Sequence, residues 1–492
     1  MKIKNAKKIG FFAALTMLIG TVVGIGIFFK NGSISRATNG EGITWLMAWI
    51  IGGIIAGATA ISFSEIGTLK TKSKSIGLPG WSEDIVGEKF GKFVRFNYAF
   101  FYIAGLTAIL GIFGSEMLLQ PIIASGAIKQ IPIYGHLIIG LLITVIMIAI
   151  NYISIKTSGI IQQITTILKF IPLILAVILG IVLPTTNHMG GSNAFLNNSF
   201  TFKGLIVALP AILFAYDAFM IVASLTNKVE KGEKKVPIII VLGMSSIIIL
   251  YTLIALSSIL HNSGSIQGLI NNVLPKSSAD AMTTTIYTFI LISTLGVING
   301  LTAGMIVVFK NEVENDTFVG TKKLKEKIGK EKTTILYIAI SCLFWILITG
   351  IPSAIIGQDY LYDGFSNFPT LFFFGINSII ITFYLFKRKK FNNKKINNIM
   401  FFSSAIIAVT GTAIAIIYLL IGHYIIDVAK TPHANSSWGL FASTKPASFL
   451  TEIAIFLTML SIFLITPAIN WGIKGLQDKN AKRLKIDSKN TK

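Results

Sequence analysis

The feature that most constrains the fold of this chain is a glycine-rich stretch inside its first apolar run. It reads Gly20-Thr21-Val22-Val23-Gly24-Ile25-Gly26-Ile27-Phe28. The run is long enough to cross a bilayer, yet three glycines fall within seven of its residues, which disfavours a straight helix. A membrane tolerates non-helical backbone only where it is buried in protein or lines a polar cavity. We therefore predict that the first helix is broken and that the break forms a binding site.

Similar apolar runs recur along the whole chain and predict a membrane protein. Of the 492 residues, 53% are hydrophobic and 13% are charged, and the mean hydropathy is +0.73, which excludes an ordinary soluble enzyme. We predict an all-α polytopic protein forming a single transmembrane domain over residues 1–492. Its twelve spans are placed at 10–30, 44–66, 93–119, 132–153, 157–183, 203–227, 236–261, 281–309, 333–351, 367–387, 398–422 and 450–473. The segment 352–368 offers room for a further short helix.

The distribution of positive charge predicts the orientation in the membrane. Of the 43 Lys and Arg residues, 35 fall in the two termini and the loops on their side. Cytoplasmic loops carry such an excess, so we expect both termini in the cytoplasm of a cell whose plasma membrane holds the protein. The net charge of +22 is explained by this asymmetry, and no nucleic acid partner is predicted. Ile-, Lys- and Asn-rich usage is typical of an AT-rich bacterial genome.

A second irregular helix is predicted in span six. Pro210 lies upstream of Asp217, a carboxylate near the centre of an apolar run. A carboxylate at that depth costs about 3 kcal/mol on insertion scales and usually faces a cavity or a partner. If spans one to five (10–183) and six to ten (203–387) form two units, an irregular helix leads each unit. Two five-helix units enter the membrane from opposite sides, which is the inverted-repeat layout of secondary transporters. Helices 11 and 12 (398–473) then lie outside the repeat.

Four motifs in order along the chain resemble those of the amino acid–polyamine–organocation permeases. They are the glycine-rich stretch 20–28, Phe63-Ser64-Glu65-Ile66-Gly67, Phe214-Ala215-Tyr216-Asp217-Ala218-Phe219 and Leu295-Gly296-Val297-Ile298-Asn299-Gly300. The resemblance implies the inverted-repeat fold of the sodium-coupled leucine transporter and amino acid transport. This chain departs from the family pattern at Ile25, at Ala218 and at 227–229, so the substrate and gating details stay open.

The resemblance and the chemistry of a broken helix together predict a substrate site. Backbone N–H groups at a helix N-terminus suit a carboxylate, and carbonyls at a helix C-terminus suit an ammonium group. We therefore predict substrate binding by residues of both breaks, which are Thr21, Val22, Val23, Gly24, Ile25, Gly26, Phe214, Ala215, Tyr216 and Asp217. The alternative for the glycines is tight helix packing, since Gly20 and Gly24 are spaced as in a small-residue packing motif.

Two side chains of span six have predicted roles of their own. By resemblance, Phe214 is the aromatic residue that closes over the substrate; the alternative is a core- or lipid-facing ring. Asp217 stands where family members more often have an apolar residue. It is predicted to bind a cationic side chain of the substrate, to hold the α-amine or to take up a proton. The alternative is that Asp217 is a structural partner of another polar group.

Lys169 is predicted to couple transport to an ion. It lies about 12 residues into span five, hence roughly 18 Å deep, where a lysine can exchange its proton or replace a sodium ion. Several family members carry a fifth-helix lysine close to the broken first helix. Ser293 and Thr294 of span eight are expected to line the same region. The alternative for Lys169 is a static ion pair, for instance with Asp217.

Enzymatic chemistry is not indicated. Glu65, Glu116 and Glu452 lie near span ends, where we expect them to be solvated at the interface. No His/Asp/Glu cluster has metal-ligand spacing, no nucleophile–base pair is visible, and the glycine stretch does not match a dinucleotide-binding motif. No cofactor and no metal are predicted.

The sequence therefore predicts a secondary amino acid permease that works by alternating access, with proton-coupled import favoured. The alternatives within the class are an amino acid exchanger and a carrier of cationic amino acids or polyamines. From other classes, a channel would need a filter loop or a charge ring and a membrane enzyme would need clustered catalytic residues. A non-transporting amino acid sensor of the same fold also remains open.

Overall fold

The structure of the protein is a computed structural model that describes residues 9–24, 26–182, 195, 200–217, 229–261, 263–438 and 447–490. Within these ranges ten helices are each long and apolar enough to cross a membrane. An eleventh span is formed by two shorter helices, which meet at an angle of 47°. The prediction of an all-α polytopic fold is confirmed.

The helices are numbered in chain order. They are α1 (Phe11–Val22), α2 (Gly26–Ala37), α3 (Gly42–Ile66), α4 (Leu78–Ile85), α5 (Glu88–Ala124), α6 (Ile133–Ile153), α7 (Lys156–Val182), α8 (Phe202–Ala215), α9 (Gly232–Leu260), α10 (Ile266–Val273), α11 (Lys276–Glu314), α12 (Thr321–Ile328), α13 (Lys330–Ile356), α14 (Tyr360–Lys387), α15 (Asn398–Lys430) and α16 (Phe449–Asn490).

The predicted break in the first helix is present. Helix α1 ends at Val22, Val23 and Gly24 form a bend, and the helix resumes as α2 at Gly26. Ile25 lies outside the described residues. The break lies between Gly20 and Gly26, within the glycine-rich stretch, because glycine lowers the stability of a helix.

Span six is also interrupted. Helix α8 has only 14 residues and contains Pro210. It ends at Ala215, and Tyr216 and Asp217 follow in a turn. The predicted continuation of this span, including Ala218 and Phe219 of the family motif, lies outside the described residues. The inverted relation between the two five-helix units stays a prediction.

The alternation of the helices assigns their ends to two sides of the molecule. We call the side where α1 begins the N-side and the other the far side. The short helices α4 and α12 lie on the N-side, after α3 and α11 respectively. Helix α10 lies on the far side, between α9 and α11.

No separate short helix occupies the segment 352–368. Helix α13 continues to Ile356 and α14 already begins at Tyr360. The turn between them is Gly357, which has a φ of +68° and ends α13 in the left-handed conformation that glycine adopts without strain. The tenth span therefore starts seven residues earlier than its apolar run predicts.

The expectation that three glutamates are solvated at the interface is wrong. Glu65, Glu116 and Glu452 are all buried, because neighbouring elements supply partners for each carboxylate. Glu65 accepts two hydrogen bonds from Arg388 of the segment after α14, at 2.7 and 2.8 Å. Glu452 Oε2 lies 2.5 Å from His423 Nε2. Paired charges at helix ends can be buried where single charges cannot.

Candidate functional site

A cavity of about 240 Å³ lies between the two helix breaks. Its wall is formed by α1, α2, α5, α7, α8 and α11 and by the turn after α8. Nine predicted site residues line it, namely Thr21, Val22, Gly24, Gly26, Lys169, Phe214, Ala215, Asp217 and Ser293. The structure thus brings together residues that are as far apart as 272 positions in the chain.

Four predicted site residues are placed elsewhere or are not described. Val23, Tyr216 and Thr294 are fully buried beside the cavity and do not line it. The hydroxyl of Tyr216 donates to the carbonyl of Trp49 at 3.1 Å, and that of Thr294 bonds within its own helix. Ile25, the departure from the family motif, lies outside the described residues.

The two breaks are in direct contact with each other. A Cβ atom built on Gly26 would lie 2.5 Å from the Cα atom of Ala215, the last residue of α8. A Cβ atom on Gly20 would lie 2.9 Å from the side chain of Thr166. Gly24 is different, since the nearest atom to its Cβ position is 3.5 Å away. Two of the glycines therefore allow close packing, whereas Gly24 leaves room in the cavity.

Tyr251 of α9 joins the two breaks, a role that the sequence does not predict. Its hydroxyl accepts a hydrogen bond from the Gly24 N–H at 3.4 Å. The carbonyl oxygens of Val22 and Ala215 lie 3.3 and 3.5 Å from the same hydroxyl, and it donates its single hydrogen to one of them at a time. Helix ends leave such groups without partners inside the helix, so Tyr251 satisfies backbone at both breaks. Its only sequence signal is a tyrosine in the centre of an apolar run.

Asp217 lies in the cavity wall with its carboxylate held by two other helices. The hydroxyl of Tyr102 on α5 donates to Oδ2 at 2.5 Å. The hydroxyl of Thr370 on α14 donates to the same oxygen at 3.1 Å. The carboxylate is therefore fixed in orientation in the cavity wall. Neither partner is predicted from the sequence.

Lys169 also lines the cavity and is 4% exposed. Its ammonium group donates a hydrogen bond to the carbonyl oxygen of Gly20. Gly20 lies in the last turn of α1, where carbonyl groups carry the negative end of the helix dipole. The contact ties α7 to α1 just before the break. Gln162 and Thr165, on the preceding turns of α7, line the same wall.

A buried ion pair lies on the far side of the cavity. The Lys30 ammonium group of α2 is 2.5 Å from Asp363 Oδ1 and 2.6 Å from the hydroxyl of Ser366, both on α14. Ser33 donates to Asp363 Oδ2 at 2.6 Å. The Lys30 and Asp363 side chains are both inaccessible to solvent. The Lys30 ammonium is also 4.8 Å from the ring centroid of Phe214, which puts that ring between the pair and the cavity.

The cavity extends towards the N-side along α11. Gly296, Gly300, Gly304 and Val308 line it at successive turns of this helix. A Cβ atom on Gly304 would meet nothing within 4 Å. From Ser293 to Val308 the wall covers about 22 Å of helix at 1.5 Å per residue. The space is therefore bounded by Phe214 towards the far side and elongated towards the N-side.

Comparison with known proteins relates the chain to a family of membrane carriers. The family model described as amino acid permease matches residues 9–444. The Bacillus subtilis serine/threonine exchanger SteT is 32% identical over 234 residues, which cover 47% of this chain and 50% of that protein.

Two human proteins are similar at lower identity. The cystine/glutamate transporter is 26% identical over 257 residues, covering 51% of this chain and 49% of that protein. The b(0,+)-type amino acid transporter 1 is 24% identical over 256 residues, covering 51% and 50%. The chain spans about half the length of the curated relatives it matches.

Proposed function

Because this chain belongs to the amino acid permease family, we propose that it carries amino acids across the membrane by alternating access. The observation that carries the proposal is the cavity between the two helix breaks. It is bounded on the far side by Phe214 and the Lys30–Asp363 pair and is elongated towards the N-side. A carrier needs a central site that is open to only one side of the membrane at a time. Phe214 would act as the gate over the substrate.

The backbone at the breaks supplies the chemistry for an α-amino acid. The first turn of α2, starting at Gly26, presents backbone N–H groups and the positive end of a helix dipole to a carboxylate. The carbonyl oxygens around Val22 and at the end of α8 suit an ammonium group. Thr21 adds a hydroxyl at the edge of the same space. Recognition of both charged groups by backbone leaves the remaining cavity to the substrate side chain.

Gly24→Val tests the location of the site. The added side chain would enter the cavity, because a Cβ atom on Gly24 has no neighbour closer than 3.5 Å. Gly472→Val on α16 is the matched control, since a Cβ atom there meets nothing within 4 Å. Uptake of radiolabelled amino acids into proteoliposomes should be lost in the first variant and kept in the second. Native uptake by Gly24→Val would place the site elsewhere.

The same assay separates a carrier from a sensor. A sensor of this fold would bind an amino acid without moving it across the membrane. Binding measured on the purified protein by thermal shift, together with an absence of uptake and counterflow in proteoliposomes, would favour the sensor. A thermal-shift screen against all amino acids and common polyamines would also identify the ligand.

We further propose that import is coupled to protons, with Lys169 as the coupling residue. The support is its burial and its bond to α1 at the edge of the break. In Lys169→Met, uptake driven by a pH gradient should be lost while counterflow continues. Lys156→Met is the matched control, because Lys156 is exposed on the same helix. If collapsing the gradient leaves native net uptake unchanged, proton coupling is refuted.

Obligate exchange is the second candidate mechanism. It is favoured by the similarity to a protein named as a serine/threonine exchanger. An exchanger releases its internal amino acid only when an amino acid is present outside. Efflux from preloaded proteoliposomes should then depend on external substrate, and efflux into plain buffer at the same rate would rule exchange out.

Asp217 is the residue proposed to define the substrate side chain. Its fixed carboxylate lies in the cavity wall and suits a cationic side chain or a polyamine, while contact with the α-amine and proton uptake are the alternative roles. If Asp217 binds the cationic side chain of the substrate, Asp217→Asn should lower uptake of arginine more than uptake of serine. An equal loss for both would favour the α-amine, and loss of only the pH-gradient-driven component would favour proton uptake.

We propose that the N-side faces the cytoplasm and that the protein resides in the plasma membrane of a bacterial cell. The excess of Lys and Arg on the N-side supports this orientation. Cysteines introduced at the exposed positions Asn39 on the far side and Lys323 on the N-side give a direct test. A membrane-impermeant maleimide added to intact cells should label the first and not the second.

A further inference from the structure

The motif 295–300 of α11 packs against α7 in the N-side part of the central cavity. Asn299 of this motif is 1% exposed. Its side-chain nitrogen donates to the backbone carbonyl of Ser158 at 3.1 Å and to Gln162 Oε1 at 3.2 Å, both on α7. The Cβ position of Gly300 has Gln162 Oε1 as its nearest neighbour, at 3.4 Å. The motif therefore holds the amide of Gln162, which lines the central cavity.

Backbone carbonyls determine which atom of each amide donates. A carbonyl oxygen only accepts hydrogen bonds, so the Asn299 atom that faces the Ser158 carbonyl is the nitrogen. Asn151, near the end of α6, supports the same arrangement. Its nitrogen donates to the Met147 carbonyl at 2.8 Å and to Asn299 Oδ1 at 3.1 Å. The Gln162 atom that meets the Asn299 nitrogen is therefore the oxygen.

The amide nitrogen of Gln162 is consequently turned away from Asn299. It makes no hydrogen bond to the residues that the structure describes. A glutamine nitrogen carries two N–H groups, and hydrogen bonds from N–H groups to a carboxylate are shorter and stronger than those between neutral groups. Gln162 thus offers the cavity an open donor whose orientation is fixed by another helix.

The wall of α11 opposite Gln162 offers no donor of this kind. On the N-side of Ser293 its described lining residues have no polar side chain; they are Gly296, Val297, Gly300, Leu301, Gly304 and Val308. Thr165, one turn beyond Gln162 on α7, donates its hydroxyl to the Ile161 carbonyl at 2.8 Å. A carboxylate that passes an apolar wall loses hydrogen bonds to water. The Gln162 amide can replace some of them.

We propose that Gln162 binds the α-carboxylate of the substrate in the N-side part of the cavity, with Asn299 as the positioning residue that keeps the amide in its donating orientation. Gln162 lies seven residues before Lys169 on α7, hence about 10 Å nearer the N-side. The carboxylate would pass between Gln162 and the N-terminus of α2 as the substrate enters or leaves on this side. The proposal rests on the proposed function, since it names a further residue for the same substrate.

The position of Gln162 predicts an effect on one face of the protein only. A substrate that arrives from the N-side meets Gln162 before it reaches the helix breaks. A substrate that arrives from the far side reaches the N-terminus of α2 without passing Gln162. Loss of the amide donor should therefore raise the KM measured from the N-side and leave the KM measured from the far side unchanged.

The test offers substrate to each face in turn, with right-side-out and everted membrane vesicles. The probes are tritiated L-serine, L-arginine and L-glutamate at about pH 8, where a glutamate side chain is ordinarily ionised. Gln162→Glu keeps the oxygen that accepts from Asn299 and replaces the nitrogen by a negatively charged oxygen. It should raise the N-side KM at least about tenfold, because a hydrogen bond to a charged group is lost. An unchanged far-side KM shows that the variant is folded.

A second variant separates substrate binding from a structural role. Gln162→Met removes both the donor and the acceptor of the amide. If Gln162 only completes the network with Asn299, Gln162→Glu should be the milder change, because Asn299 keeps its acceptor. The proposal requires the opposite order, with the larger N-side KM in Gln162→Glu. Gln163→Glu, at the exposed neighbouring position, is the matched control and should leave both KM values unchanged.

Asn299→Ala tests the positioning role. Without the Asn299 nitrogen the amide of Gln162 can rotate, so the N-side KM should rise several-fold while the maximal rate is kept. In combination with Gln162→Met, Asn299→Ala should raise the KM no further than Gln162→Met alone, because residues that act through one contact are not additive. A further rise in the double variant would show that Asn299 acts independently and would overturn its assignment.

The remaining outcomes distinguish this proposal from the proposed function. A native N-side KM in both Gln162 variants would overturn the carboxylate contact, and so would an equal rise at both faces. Intact transport by the native protein would leave the proposed function standing in either case. If Gln162→Glu does not reach the membrane, the N-side KM of Gln162→Met decides. If the native protein moves none of the three probes from either face, the proposed function itself fails.

Discussion

The buried pair between Lys30 and Asp363 gives a stability prediction with a large expected effect. The Lys30 side chain can be replaced by methionine, which has a similar length and no charge. Asp363 would then lose the cation at 2.5 Å from its Oδ1, while the hydroxyl of Ser33 still donates to its Oδ2. Removing one partner of a buried ion pair destabilises a protein by about 3–5 kcal/mol, because the other charge stays buried. Lys30→Met should therefore lower the unfolding temperature clearly.

The matched variants isolate the unpaired charge as the cause. Lys30→Met combined with Asp363→Asn removes both charges and should recover most of the lost stability, since neutral replacements of buried pairs are often tolerated. Lys92→Met removes one partner of the exposed pair with Glu88 and should change little. Thermal unfolding in detergent, followed by fluorescence-detected size-exclusion chromatography, measures all of them. The reasoning is refuted if the double variant is no more stable than Lys30→Met.

Three further predictions concern the breaks and the N-side. Gly26→Ala should destabilise the protein by about 1–3 kcal/mol through overpacking, because its Cβ would lie 2.5 Å from backbone. Gly24→Ala should not, and equal melting curves would contradict this. Tyr251→Phe should reduce the initial rate of uptake several-fold without loss of folded protein, because backbone at both breaks loses a partner worth about 1–3 kcal/mol; an unchanged rate would count against it. Glu65→Gln should lower the unfolding temperature, because Arg388 loses a bidentate carboxylate; a melting curve like the native one would contradict this.

The fold class could be predicted because the bilayer imposes strict rules on sequence. Apolar runs of about 20 residues identify spans whatever their partners are. The exact start of α14 could not be predicted in the same way. Asp363 interrupts the apolar pattern near its beginning, and hydropathy places the span after it. The structure shows that Lys30 neutralises this carboxylate from another helix, which is information that one run does not contain.

The candidate site likewise contains residues that one apolar run predicts and residues that only the packing of helices reveals. Gly24, Asp217 and Lys169 could be predicted because each is unfavourable in an ordinary membrane helix and so requires a reason to be there. Tyr102 and Tyr251 could not, since a tyrosine in an apolar run is unremarkable by itself. Their importance comes from the carboxylate and the backbone groups that tertiary packing places against them.

The contrast between the two buried lysines supports the choice of Lys169 over Lys30 as the mobile element. Lys30 faces a full negative charge on Asp363, and its ammonium group is also within reach of Ser366. The Gly20 carbonyl that Lys169 bonds belongs to a helix end, which carries only about half an elementary charge. Whether the Gly20 carbonyl stays within hydrogen-bond distance of Lys169 therefore depends on the position of α1 relative to α7. If α1 moves away from α7 as the N-side opens or closes, the ammonium group loses its acceptor and must find water, a substrate or a proton acceptor. Movement of α1 and the charge state of Lys169 would then be linked, as proton-coupled transport requires.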